Sequence, residues 1–356
     1  MRLIVVFALC LSMAVLGISG PGAAQDPSTP TPIVKRAIAT LTIPGYPDFL
    51  AADETAVWIT NEGRVEKLRH DRPWPVASVP VPEPCGAMTV AFGALWVANC
   101  RDPSVYRVDL ETTKVVSIIP TGLADPTGEM SLTAGAGSVW ILTDRKGTLS
   151  RIDPGTNQVV VQICVAPYSY AAAFGFDAVW ITNTGPDGER GQGSVQRINP
   201  ATNKVIATIP VGPEPRFLAV GEGGVWTLNQ GDGSVTRIDP GTNRAVASLP
   251  LGMVGGGGDI AAGGGRVWVR GKKVLLAAVD PVTNRVVEVF GPAAGSGGVR
   301  VAGDLVWVTA HDIHTVWVLR PEPQGPQCEN EGVSIKNEGV TRKPVYPFLG
   351  QTSSRG

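Results

Sequence analysis

Two histidines stand three residues apart in the stretch "TAHDIHTVW" near the end of the sequence. His311 and His314 flank Asp312, and imidazole and carboxylate groups are common ligands of divalent metals in proteins. Protein metal sites usually need three or four converging ligands, and the sequence holds one further histidine, His70. Two interpretations of His311 and His314 therefore stay open: ligands of a divalent metal, or solvated loop residues.

A five-residue string shows which elements must position these residues. "VWITN" occurs at 57–61 and again at 179–183, and five degenerate copies accompany it. Neighbouring copies lie 38 to 46 residues apart, which is close to the period of propeller blades. The sequence therefore predicts an all-β, seven-bladed β-propeller of four-stranded antiparallel blades, with one tryptophan in the second strand of each blade packing between blades. The seven are Trp58, Trp96, Trp140, Trp180, Trp226, Trp268 and Trp307.

A second motif punctuates each unit between its third and fourth strands. It reads "DPGTN" at 153 and 239, "NPATN" at 199 and "DPVTN" at 280. Proline presets φ at the second turn position, the leading Asp or Asn bonds the backbone ahead of it, and the last Asn tolerates the left-handed conformation. We interpret these turns as structural rather than catalytic.

The last unit lacks a fourth strand, and the other end of the chain supplies a match for it. "RAIATLTIPGYPDFLA" at 36–51 resembles "KVIATIPVGPEPRFLA" at 204–219. We predict that residues 34–42 complete blade seven and close a propeller spanning 34–320, with a polar tail over 321–356.

The loops of the predicted propeller differ between its two faces. One face carries the stereotyped hairpins and turns. The opposite face, which we call the loop-rich face, carries the loops between second and third strands and the loops between blades, and these loops vary. Variable loops on a rigid scaffold often bind ligands, although drift in sequence is the alternative explanation. The candidate ligand-binding residues on that face are Asn61, Arg101, Asp144, Tyr168, Asn183, Arg216, Asn229 and Arg270.

The first residues predict export. Arg2 precedes an apolar run, and small residues follow it up to Ala24, as in a secretory signal peptide. We expect a signal peptide at 1–24, a Pro-rich linker at 25–33, no transmembrane segment after cleavage, and a secreted or periplasmic protein. Cysteines pair readily there, and folding the hairpin of blade two puts Cys85 opposite Cys100. The states of Cys164 and Cys328 stay open.

The charge balance bears on partners. The formal net charge is −1 and the isoelectric point is near 6.3, so the chain lacks the net positive charge expected of a nucleic-acid-binding protein. A local basic patch stays open. We expect no nucleic-acid partner.

The strings "VWITN", "RIDPGTNQVV" and "RINPATNKVIATIPVG" resemble those of the YVTN-repeat seven-bladed β-propellers, in the superfamily that also contains the streptogramin (virginiamycin B) lyases. The resemblance covers about 34–320. It implies the propeller fold, and it implies either an exported binding protein or a lyase that opens a cyclic peptide lactone with His and Glu residues and a divalent metal. Three histidines supply a site of the second kind poorly.

Three functional hypotheses follow. The first is an exported, non-catalytic propeller that binds a small molecule, peptide or protein at its loop-rich face. The second is a metal-dependent lyase of the streptogramin-lyase type, in which His311 and His314 would need a third ligand such as Asp259 or Glu129. The third is a structural scaffold of the cell envelope. A divalent metal, in the second hypothesis, is the only cofactor that any of them requires.

Overall fold

The computed structural model describes residues 29–72, 74–122, 131–144, 147–185 and 191–321. Their strands form seven antiparallel sheets of four consecutive strands each, apart from one added strand in blade 6 and one exchanged strand in blade 7. The predicted seven-bladed β-propeller is confirmed. Within these ranges, no helix has the length and apolar character needed to cross a membrane.

The bounds of the strands follow the repeat. In chain order, the four strands of blade 1 are Leu50–Ala52, Ala56–Asn61, Arg64–Arg69 and Pro75–Pro80. Those of blade 2 are Thr89–Ala91, Ala94–Asn99, Ser104–Asp109 and Val115–Pro120. Those of blade 3 are Leu132–Gly135, Ser138–Asp144, Thr148–Asp153 and Gln158–Cys164. Those of blade 4 are Ser169–Gly175, Ala178–Asn183, Gln192–Asn199 and Lys204–Pro213. Those of blade 5 are Pro215–Gly221, Gly224–Asn229, Ser234–Asp239 and Arg244–Pro250. Those of blade 6 are Gly258–Gly263, Arg266–Gly271, Leu276–Asp280 and Arg285–Gly291.

Blade 7 closes the ring as predicted. Its first three strands are Val299–Ala302, Leu305–Ala310 and Thr315–Leu319, and its fourth is Ala37–Thr42, which pairs antiparallel with Thr315–Leu319. The first strand of every blade contacts the first strands of both neighbouring blades, so these seven strands surround a central channel.

The chain just before the closing strand is also ordered. Thr31–Pro32 adds to blade 6 as a fifth strand, parallel to Arg285–Gly291. Ile33, at the start of a 3₁₀ turn over Ile33–Lys35, is buried among apolar side chains of blades 6 and 7. This part of the expected linker therefore belongs to the propeller.

The tryptophans pack between blades as predicted. All seven are buried. In five of them the indole Nε1–H donates to the backbone carbonyl five residues earlier, across the tight hairpin that joins the first two strands: Trp96, Trp140, Trp180, Trp226 and Trp268. The tryptophan thus secures its own hairpin while its ring fills the space between blades.

The "DPGTN" turns also take part in a contact between neighbouring blades, which no local sequence pattern reveals. The Arg197 guanidinium lies 4.9 Å from the centre of the Trp180 ring, and its Nη1 donates to Pro240 O at 2.7 Å and to Asn243 Oδ1 at 2.8 Å. Asn243 has a φ of 55°, so it closes its turn in the left-handed conformation and also accepts a hydrogen bond from the preceding blade. The same contact recurs at Arg107, Arg151 and Arg237.

Blades 1, 6 and 7 depart from this pattern. Lys67 replaces the arginine in blade 1 and donates to Leu110 O at 2.7 Å. Ala278 pairs with Trp268 in blade 6, and Val318 pairs with Trp307 in blade 7. The two seams on either side of blade 7 therefore lack the arginine contact.

The predicted disulfide is present. Cys85 and Cys100 are bonded with their Cα atoms 5.9 Å apart, and backbone hydrogen bonds join the same two segments, Cys85 N to Ala98 O and Cys100 N to Glu83 O. Cys164 is an exposed free thiol at the end of blade 3. Cys328 lies outside the described residues.

Candidate functional site

Three predicted asparagines end the second strands of their blades and are buried. Asn61 accepts from Tyr46 N at 2.5 Å and donates to Pro44 O at 3.0 Å. Asn183 donates to Ser169 Oγ at 2.5 Å. Asn229 donates to Ser234 Oγ at 3.0 Å and Thr236 Oγ1 at 2.8 Å. Through these hydrogen bonds, the buried side-chain amides hold neighbouring segments of the loop-rich face together. The buried Asn99 does the same by accepting from Glu83 N at 2.7 Å.

Three other predicted residues reach the surface of that face. Arg101 is exposed in the loop between the second and third strands of blade 2. Tyr168 is 38% exposed in the loop that enters blade 4, with a φ of 60°. Arg216 stands at the start of blade 5, where its Nη2 is 2.8 Å from Glu214 Oε1. Asp144 ends the second strand of blade 3, and its side chain lies outside the described residues.

Arg270 is completely buried at the end of the second strand of blade 6. Its Nε donates to Thr309 O of blade 7 at 3.1 Å, and its Nη1 donates to Gly271 O. Burial lowers the pKa of Arg270 to about 10, against the opposing attraction of Asp48 and Asp312. Its contacts tie blade 6 to blade 7.

The two histidines lie three residues apart in sequence but in different surroundings. His311 is buried and its ring stacks on Tyr46, with ring centres 4.0 Å apart. Its Nε2 lies 3.1 Å from the Tyr46 hydroxyl and its Nδ1 lies 2.8 Å from Asp312 Oδ1. Burial lowers the pKa of His311, and Asp312 opposes that shift. His314 is exposed, and its Nδ1 lies 2.6 Å from Gly45 O.

The described part of the chain does not bring together enough ligands for a metal site. There, no group of three or more His, Cys, Asp and Glu side chains lies close enough together to hold a metal ion. Glu129, one of the third ligands considered, lies outside the described residues. Asp259, the other, faces the central channel, as the strand register shows.

The register of the first strands defines two rings of residues around the channel. The tryptophan-level ring consists of the residues paired with the seven tryptophans: Ala51, Thr89, Thr133, Ala173, Ala219, Ala261 and Arg300. Side chains two residues apart on a strand share a face, so a second ring, the mouth ring, lies nearer the loop-rich face. It consists of Phe49, Ala87, Ser131, Ala171, Phe217, Asp259 and Gly298.

These rings enclose a cavity of about 220 Å³ in the channel. All of their members except Ala51 and Gly298 line it. Most are small, which leaves the space open. The exceptions are two phenylalanines, one carboxylate and one guanidinium.

Aromatic side chains from three blades meet at the mouth of this cavity. Phe49 of blade 1 and Phe217 of blade 5 lie with ring centres 6.5 Å apart, and Tyr170 of blade 4 packs edge-on against Phe217 at 5.6 Å. Arg216 covers Tyr170, with its guanidinium 5.0 Å from the ring centre. The mouth therefore places aromatic rings beside a cation, an arrangement chemically suited to stacking with planar or π-bearing groups.

A second, shallower cavity of about 490 Å³ opens on the same face between blades 1 and 2. Tyr46 and Asn61 contribute to one side of it, and the loop containing Cys85 forms the other. The disulfide fixes that loop to the end of the second strand, so this wall is rigid.

From the sequence, Arg216 was predicted on the correct face and Asp259 as a possible third metal ligand, whereas Phe49, Phe217 and Arg300 of the channel were missed. A signal for two of them was present, because the match of 36–51 with 204–219 aligns Phe49 with Phe217. Arg300 and Asp259 show no motif in the linear sequence. They stand out only when the strand register aligns each with six equivalents that lack its charge.

Comparison with known proteins shows the fold of this chain but not its function. No family model matches the chain, and no curated protein sequence matches it. Among solved structures, hydrazine synthase of Kuenenia stuttgartiensis is similar over 81% of this chain and 99% of its own, with a TM-score of 0.68 and 14% identity. A streptogramin B lyase is similar over 79% and 96%, with a TM-score of 0.65 and 17% identity.

Virginiamycin B lyase from Staphylococcus aureus is similar over 80% of this chain and 99% of its own, with a TM-score of 0.64 and 14% identity. The shared feature is the propeller. At these identities the likeness carries no catalytic residue from one chain to another, so function has to be argued from the site.

Proposed function

We propose that the protein is an exported, non-catalytic propeller of the YVTN-repeat type that binds a small ligand at the mouth of its central channel. The observation that carries this proposal is the convergence of Phe49, Tyr170 and Phe217 from three blades, with Arg216 over Tyr170. Ligand sites in proteins are typically concave and largely apolar, with a few placed polar groups. The mouth has this composition.

The size of the cavity favours a small ligand over a folded protein. A channel cavity of about 220 Å³ accepts one ring or a short chain, whereas stable protein interfaces bury on the order of 1,200 Å² or more. A peptide could still occupy the mouth with one side chain. We therefore expect the ligand to be a small molecule, with a peptide as the second possibility.

Ligand screening by thermal unfolding of the mature chain, residues 25–356, tests this function. A ligand at about 100 times its Kd stabilises the folded state by about 2.7 kcal/mol. Compounds that raise the midpoint of the wild type should lose their effect in Tyr170→Leu and Arg216→Gln, and keep it in Trp74→Ala, which alters an exposed side chain at the edge of blade 1. A broad library of aromatic compounds and short peptides without any stabilising member would favour the scaffold hypothesis instead.

The proposed export has its own test. Expression of the full chain with fractionation of the cells, followed by N-terminal sequencing of the extracytoplasmic product, should give a mature protein beginning near Gln25. Retention of residues 1–24 in the cytoplasmic fraction would contradict it.

A metal-dependent lyase of the streptogramin-lyase type is the second candidate. The observation that favours it is the contact of His311 with Tyr46 and Asp312 on the loop-rich face. The described residues supply an incomplete ligand set, so the test is whether a metal binds at all. The mature protein is treated with EDTA and unfolded thermally with Mg²⁺, Ca²⁺, Mn²⁺ or Zn²⁺; a saturable rise in midpoint that disappears in His311→Ala, His314→Ala would promote this candidate.

A further inference from the structure

Two charged side chains of opposite sign face the same channel cavity. Asp259 belongs to the mouth ring and Arg300 to the tryptophan-level ring, and both line the 220 Å³ cavity. We propose that this cavity binds a small neutral molecule with a carboxamide-like group, whose N–H donates to Asp259 while its carbonyl oxygen accepts from Arg300. The inference rests on the proposed ligand-binding function and adds the chemical class of the ligand.

Arg300 is an exception in its ring. Its six equivalents are alanine or threonine, so the propeller repeat does not require a cation at this level. The Arg300 Nε donates to Leu50 O at 3.0 Å. Its two terminal nitrogens make no hydrogen bond to any other residue in the described ranges. Four N–H groups in a fixed planar fork are thus available to a carbonyl or carboxylate oxygen.

Asp259 has acceptor capacity to spare. Its Oδ1 accepts from Ile260 N at 2.8 Å, and its Oδ2 accepts from Val299 N at 3.1 Å. A carboxylate offers about four acceptor sites, so two of them remain for a ligand N–H. Burial raises the pKa of Asp259, and the attraction of Arg300 opposes that shift. A buried carboxylate of this kind is stabilised by additional donors.

The charges select against ionic ligands. A cation would gain from Asp259 but be repelled by Arg300, and an anion would meet the reverse situation. A neutral group that carries a donor and an acceptor side by side satisfies both residues, as a primary amide or lactam does. The rings of Phe49 and Phe217 beside Asp259 add an apolar surface for the rest of the molecule.

A series of probes with the same ring separates these possibilities. Benzamide, benzoate, benzamidine and benzyl alcohol differ in the charge and hydrogen-bonding of one group. Their binding to the mature wild-type protein is measured by saturation-transfer NMR and titration calorimetry. We expect benzamide to bind tightest of the four, and to bind about tenfold more weakly to Arg300→Met, since the loss of one charge-assisted hydrogen bond corresponds to about that factor.

Two further variants complete the test. Asp259→Asn removes the carboxylate, and Arg285→Met, in the exposed outer strand of blade 6, is the matched control that should bind benzamide like the wild type. Because Asp259→Asn also alters two backbone contacts and could unfold, Arg300→Met decides the question alone if that variant is lost. Thermal unfolding of each variant establishes that it is folded.

Several outcomes overturn the inference. Tighter binding of benzoate or benzamidine than of benzamide contradicts the neutral class. Equal binding of benzamide to the wild type and Arg300→Met contradicts the role of Arg300, and the absence of benzamide binding contradicts the carboxamide class. If library hits depend on Tyr170 and Arg216 but not on Arg300, the proposed function stands and this inference falls.

Discussion

The repeated arginine contact predicts a measurable share of the stability of the propeller. In blade 4, the Arg197 guanidinium stacks on Trp180 and donates to Pro240 O, Asn243 Oδ1 and Phe176 O. Arg197→Met keeps an apolar stem over the indole but removes the cation and all three hydrogen bonds. Each lost hydrogen bond costs about 1 kcal/mol, and the cation–π contact adds about 0.5–1 kcal/mol at a partly exposed site. Because Arg197 is partly exposed, water replaces some of these bonds, and we expect a loss of about 2–4 kcal/mol.

Equilibrium unfolding in urea, followed by tryptophan fluorescence, measures this loss. Arg244→Met is the matched control, since Arg244 is exposed on the outer strand of blade 5; surface changes of that kind stay within about 0.5 kcal/mol. The partner is tested with Asn243→Gly, which keeps the left-handed φ of 55° accessible while removing the acceptor. The double variant should show a coupling of about 1 kcal/mol between the two sites. If Arg197→Met unfolds with the same free energy as Arg244→Met, or the coupling is zero, the contact does not fasten the blades.

The disulfide, the free thiol, one buried isoleucine and one hydrogen-bonded aspartate can each be tested in the same way. Reduction of the Cys85–Cys100 bond, which closes a loop with a sequence separation of 15, should lower the free energy of unfolding by about 3 kcal/mol, measured with and without dithiothreitol; a Cys164→Ser variant should lose the same amount. That variant should also lose one rapidly reacting thiol in a titration of the folded protein with Ellman's reagent, because Cys164 is exposed; an unchanged count would mean that the thiol is covered. Ile33→Ala should destabilise the propeller by about 2–5 kcal/mol, since Ile33 is buried, whereas Val34→Ala, at an exposed neighbour, should have little effect. Burial would raise the pKa of Asp102, but hydrogen bonds from Ser104, Asn99 and Tyr106 outweigh this effect, and the pKa lies below its ordinary value of 3.8. The contribution of Asp102 to stability is therefore present above that value and lost as pH falls through the lowered pKa. The urea midpoint of Asp102→Asn should accordingly depend less on pH below about pH 4 than that of the wild type.

The fold could be predicted from the sequence because the residues that recur in each repeat have local structural roles. The tryptophans, the proline of each turn and the terminal asparagine recur at fixed positions, and Asn157, Asn203, Asn243 and Asn284 all adopt the left-handed conformation that the turn requires. The contact between blades could not be predicted in the same way. Arg197 and Asn243 lie 46 residues apart, and only the stacking of neighbouring blades brings them together.

The candidate site was less predictable for a related reason. A position in a loop says which face a residue belongs to, but not whether its side chain faces solvent or the fold. Asn229 and Arg270 are fully buried and bonded within the protein, whereas Phe217 and Arg300, which lack any functional motif, line the channel. Burial and strand register, rather than residue type, separate the two groups.

Several polar residues that the sequence suggested as site residues, among them Arg270 and His314, lie at the seams between blade 7 and its neighbours. The absence of the arginine contact from these seams explains part of this clustering. Where Ala278 and Val318 replace the arginine, the seams need other bonds. Arg270 donates across the seam between blades 6 and 7, and His314 lies against Gly45 O across the seam to blade 1. These side chains therefore substitute for the repeated contact at the point where the ring closes. Arg300 donates to Leu50 O in the same way, but one hydrogen bond to a carbonyl uses only its Nε. The remaining four N–H groups exceed what closing the ring requires. Arg270 also keeps an unbonded Nη2, but it is completely buried, whereas Arg300 lines a cavity shared with Asp259. This position, and not the number of unbonded N–H groups, separates Arg300 from a residue that only joins two blades.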